Sequence, residues 1–97
     1  MTTEPMTQIE RQRQKVAQIR EQLRVIREEA NTRRDAFATE RTKARAGDKK
    51  AAARCEELDE ELTALSVRGF ALSRELDSQL RQLGDLEQRV WPARALR

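Results

Sequence analysis

Lys43-Ala44-Arg45-Ala46-Gly47-Asp48-Lys49-Lys50-Ala51 is the stretch that decides the fold. Glycine is favoured just past a helix C-terminus, because without a Cβ it takes a left-handed backbone at no steric cost. Aspartate is a favoured N-cap, because its carboxylate accepts a hydrogen bond from a free backbone N–H in the turn that follows. Gly47 then Asp48 therefore reads as one helix stopping and a second starting. Lys43 and Arg45 lie in the turn before Gly47, where cations suit the negative end of a helix dipole.

Outward from this stretch, both flanks carry apolar residues at alternating steps of three and four. The first flank runs Ile9, Gln12, Val16, Ile19, Leu23, Ile26, Ala30, Arg33, Phe37, Glu40 and Ala44, well formed as far as Ala30 and weaker toward the turn. The second runs Ala51, Cys55, Leu58, Leu62, Leu65, Gly69, Leu72, Leu76, Gln79, Leu83, Leu86 and Val90, with leucine dominant. This is the a/d pattern of a coiled coil. Folding about Gly47–Asp48 pairs residues whose numbers sum to 95: Ile9 with Leu86, Ile19 with Leu76, Ala30 with Leu65, Phe37 with Leu58. Every a position then faces a d position, and the large Ile26 falls opposite the small Gly69.

One continuous helix is the competing reading. Its seam slips by four residues between Ala44 and Cys55, which a stutter absorbs. Gly47 inside it costs only about 1 kcal/mol. The agreement of turn residues with seam pairing favours the hairpin. The sequence thus predicts an all-α chain forming an antiparallel two-helix coiled-coil hairpin, with helix 1 over about 5–46, a turn at 46–48, helix 2 over about 49–91 and a short C-terminal tail. Pro5 suits the start of helix 1, and Pro92 stops helix 2 after Trp91. Two such hairpins are expected to assemble into a four-helix bundle.

Composition agrees with long helices and not with a globular core. Of the 97 residues 37% are apolar and 38% charged, and mean hydropathy is −0.90. Three aromatics (Phe37, Phe70 and Trp91) cannot fill a compact interior. A net charge of only +3, with ordered apolar spacing, separates the chain from a disordered one. Met1 to Met6 lacks a basic segment followed by an apolar run, and no apolar stretch is long enough to span a membrane, so the cytoplasm is the expected location.

The residues that ordinarily carry catalysis are missing. There is no histidine, hence no imidazole base, metal ligand or triad member. The three glycines are isolated and form no phosphate-binding loop. Cys55, the single cysteine, occupies a seam position and reads as a small buried hydrophobe. The acidic run Glu56-Glu57-Leu58-Asp59-Glu60-Glu61 points in several directions around a helix and reads as solvated surface. No enzyme, cofactor or metal is expected.

Two surfaces remain as candidate interaction sites. Arg13, Arg20, Arg27, Arg34 and Arg41 recur at every seventh position, beside the helix-1 seam. Only Arg13 has an acid three or four residues away, Glu10. The row that faces them, Ala52, Asp59, Ser66, Ser73, Leu80 and Glu87, offers two carboxylates to five guanidiniums. Such a stripe can hold phosphates or an acidic partner, or its stems can cover the edge of the core. Arginine outnumbers lysine sixteen to four, which a GC-rich genome also produces. The second surface is Val67 and Phe70, outside the seam, with Leu80 beside it. Apolar residues so placed on a polar chain suggest a docking patch. The sequence therefore predicts a non-catalytic adaptor, assembly factor or chaperone that self-associates, with a dimer favoured, and that docks another protein. The alternative is a nucleic-acid-binding module using the arginine row. No family is identified by these residues.

Overall fold

A computed structural model of the chain describes residues 5–90, with side chains from Thr7 onward. The expectation for Trp91 and Pro92 lies outside the described residues. The structure is all-helical: α1 spans Pro5–Arg45 and α2 spans Lys49–Val90, and the two form a hairpin. Alanine, arginine, glutamate, glutamine and leucine, all strong helix formers, make up most of both helices.

The turn shows how the sequence ends one helix and begins the next. Gly47 adopts φ of 103°, in the left-handed region. Its N–H donates to the Ala44 carbonyl at 3.0 Å, and the Asp48 N–H donates to the Lys43 carbonyl at 3.1 Å. Those two bonds are the Schellman pattern, which satisfies carbonyls that α1 would otherwise leave bare. Asp48 Oδ1 then accepts the Ala51 N–H at 3.0 Å, capping the first turn of α2.

Contacts divide the chain into two compact units, Leu23–Ala71 and Met1–Gln22 with Leu72–Arg97. In the Leu23–Ala71 unit the core is Ile26, Ala30, Ala51, Leu58 and Leu65, with Leu58 wholly covered. A Cβ built on Gly69 would sit 3.7 Å from Ile26 Cγ2, so a small residue lies against a large one. Arg33, at a seam position, is half-buried and bridges Glu29 on its own helix and Glu61 on α2, both at 3.9 Å. Arg54 adds contacts to Glu57 at 2.9 Å and Glu61 at 3.5 Å. This is how a cation is accommodated in a mainly apolar stripe.

In the other unit Ile9, Val16 and Ile19 are buried, Ile9 wholly so. Gln12 is buried beside them at 5% exposure. Its amide nitrogen donates to the backbone carbonyl of Gln79 at 2.8 Å and to Gln79 Oε1 at 2.7 Å. Gln79 donates in turn to Glu75 Oε1 at 2.7 Å. A buried amide costs stability unless bonded, and here its partner comes from the facing helix.

All eleven seam positions on α1 and all twelve on α2 are buried or half-buried. Burial is uneven along α2. Ala51, Leu58 and Leu65 are fully covered, whereas Leu72, Leu76, Leu83 and Leu86 are only half-buried.

Candidate interaction surfaces

The arginine row projects from α1 because one heptad is almost two helical turns, so every seventh residue returns to nearly the same direction. All five members are exposed. In the unit that contains the termini, Arg13 Nη2 pairs with Glu87 Oε2 at 3.2 Å, while Arg20 makes no ion pair among the described residues. In the Leu23–Ala71 unit, Arg34 donates to the neutral Asn31 Oδ1 at 3.2 Å. Arg27 and Arg41 make no ion pair among the described residues. Of the two acids in the facing row, Glu87 is used, and Asp59 is not paired with any of these guanidiniums. Three of the five guanidiniums, Arg20, Arg27 and Arg41, thus lie exposed on α1 with no carboxylate paired to them among the described residues. Exposed pairs such as Arg13–Glu87 contribute little to stability.

Val67 and Phe70 stand out on α2 at 65% and 67% exposure, and Val25 on α1 is exposed at 38%. Leu80 is half-buried. Cys55 is a half-buried free thiol on the seam. Gln82, Asp85, Leu86 and Arg89 line a shallow depression on α2. Among the described residues no three His, Cys, Asp or Glu side chains are placed to hold a metal ion, and no helix is long and apolar enough to cross a membrane.

One polar contact between the helices was not legible in the sequence. Gln12 and Gln79 were legible only as interruptions in two apolar stripes. They lie one layer apart, and a diagonal contact between adjacent layers joins them. Two polar interruptions on facing seams, offset by a single layer, are the signal that would have found the pair.

Comparison of the chain with protein-family models, with curated proteins and with solved structures finds no match.

Proposed function

We propose that the chain is a non-catalytic coiled-coil interaction protein, an adaptor, assembly factor or chaperone of the cytoplasm, acting through self-association and through docking of another protein. On this reading the two helices wind as an antiparallel coiled coil, and two hairpins combine in a four-helix bundle. The observation that carries it is the apolar surface left uncovered. Leu72, Leu76, Leu83 and Leu86 lie on the seam yet stay half-exposed, and Val67 and Phe70 are about two-thirds exposed. Accessible apolar side chains grouped on a chain this polar mark a place where another protein docks. Sedimentation equilibrium at micromolar concentration should show at least a dimer. A stable monomer would contradict self-association and leave the apolar surface to a different protein.

The charge of Arg20, Arg27 and Arg41, which make no ion pair among the described residues, favours a second reading, in which the row contacts nucleic acid. Replacing Arg20, Arg27 and Arg34 by Gln should then weaken binding to DNA or RNA and flatten its salt dependence, because fewer counterions are released. Helix content should survive, since glutamine is a good helix former. Gel-shift titrations of both proteins at two salt concentrations read this directly. Absence of any retardation of wild type at low salt would end that reading.

A further inference from the structure

We propose that a column of four arginines on α1, Arg27, Arg34, Arg41 and Arg45, binds the phosphate backbone of a nucleic-acid double helix without reading its sequence. This rests on the nucleic-acid reading above and adds the form of the nucleic acid and the residues that meet it. All four arginines lie in the Leu23–Ala71 unit.

Positive charge is left over on this part of α1. From Arg24 to Arg45 the helix carries seven cations and four acids. Three of those acids are engaged: Glu28 with Arg24, Glu29 with Arg33 and Glu40 with Lys43. The cations that remain are Arg27, Arg34, Arg41 and Arg45, all exposed and none in an ion pair among the described residues. Asp48, three residues past Arg45, lies beyond the end of α1, and its Oδ1 accepts the Ala51 N–H. Asp35 on α1 and Asp59 on the facing row are the other acids nearby, and neither pairs with a guanidinium among the described residues.

The four arginines are also aligned. Successive helical residues turn by about 100°, which places all four within about 40° of one another around α1. At 1.5 Å per residue, Arg27 and Arg45 are about 27 Å apart along the axis. Arg45 stands outside the heptad row, yet it lies one turn beyond Arg41 on the same side. It carries the column to the end of α1.

What lies beside the column selects the ligand. Its exposed neighbours Asn31, Ala38 and Thr42 are uncharged, and none is aromatic or a large aliphatic. Phe37 is half-buried on the seam. Single strands are held by stacking bases on aromatic side chains. Protein partners are anchored by apolar and aromatic side chains at a dry centre. A helix lying on a membrane buries an apolar face. No side chain beside these arginines supplies any of the three. Phosphate contact needs only cations, and the planar guanidinium fork suits phosphate oxygens. A double helix carries twice the charge of one strand per unit length and is stiff over far more than this column's length. A straight row of cations therefore meets it with little to order, whereas a single strand must be straightened first.

Anisotropy titrations of the full chain against labelled duplexes of DNA and RNA two helical turns long, and against single strands of equal length, decide the matter. The duplexes should bind tenfold or more tighter than the single strands at the same salt. Replacing Arg34, Arg41 and Arg45 by Gln should weaken duplex binding tenfold or more. It should also reduce the slope of log affinity against log salt by roughly three, about one for each lost phosphate contact. Circular dichroism should show unchanged helix content, since glutamine is a good helix former. A matched variant with Gln at Arg11, Lys15 and Arg68, exposed positions off the column, removes the same charge and should stay within about threefold of wild type. Equal losses from the two variants would overturn the column, because overall charge would then account for binding. Single strands that bind as tightly as duplexes would overturn the double-helical form and leave the nucleic-acid reading standing. Wild type that binds neither duplex nor single strand at low salt, whether or not it adsorbs to phosphatidylserine vesicles, would overturn both.

Discussion

Leu58→Ala should lower the unfolding free energy by about 2–5 kcal/mol, the range for truncating a leucine in a packed interior. Leu58 is at 0% exposure, and among the described residues Ile9 is the other large side chain so completely covered. Removing the three outer carbons of Leu58 forfeits transfer free energy and leaves a void between the Cys55 and Leu62 layers. For a chain of this size each kcal/mol moves Tm by about 4–8 °C, so calorimetry at fixed protein concentration should show a fall of ~10 °C or more. Glu60→Ala, two residues away on an exposed position, should change stability by less than about 0.5 kcal/mol. Leu72→Ala should fall between them, because Leu72 is only half-buried. Equal losses at Leu58 and Glu60 would mean that the seam is assigned to the wrong face of α2.

Gly47→Ala should destabilise the protein by about 1–2 kcal/mol, the penalty for a Cβ in a left-handed backbone. Gly47 is at φ of 103° with nothing within 4 Å of a built Cβ, so the cost is conformational and not a clash. The sign of the effect separates the two topologies that the sequence allows. In a single continuous helix Gly47 would be an interior position, and the same substitution would stabilise by about 1 kcal/mol. Chemical denaturation of the wild type and this variant reads the sign directly. A gain in stability would mean that the chain does not turn at Gly47.

The hairpin and its turn were legible because several local signals agree. Gly47 and Asp48 each have a backbone role that few other residues fill, and that role appears in the φ angle and in the Asp48 cap. The seam was legible because burial follows heptad spacing, which is a property of helix geometry. The placing of Gly69 against Ile26 followed from the pairing of the two stripes. The Gln12–Gln79 contact was not legible as a pair, because a hydrogen bond between adjacent layers depends on rotamers that a pattern of apolar spacing does not encode. The uneven burial of α2 was hidden for a related reason. Leu58 and Leu86 occupy equivalent heptad positions, yet one is covered and the other half-exposed. For the arginine row, the sequence showed too few acids, and the structure assigns Glu87 to Arg13. Which surface meets a partner is a property of the partner as much as of this chain, and periodicity carries no record of it.

The most direct test of the central claim, that α1 and α2 fold back on each other, is a distance between their outer faces. Spin labels at Gln14 and Arg81, both exposed and both in the unit containing the termini, avoid disturbing the seam. They should be introduced with Cys55→Ser and diluted in unlabelled protein, so that pairs within one chain dominate. Two helices packed 8–10 Å apart, with labels on their outer sides, predict a separation of roughly 20–35 Å. A single helix through Gly47 would place the same labels about 100 Å apart at 1.5 Å per residue, and that result would contradict the hairpin.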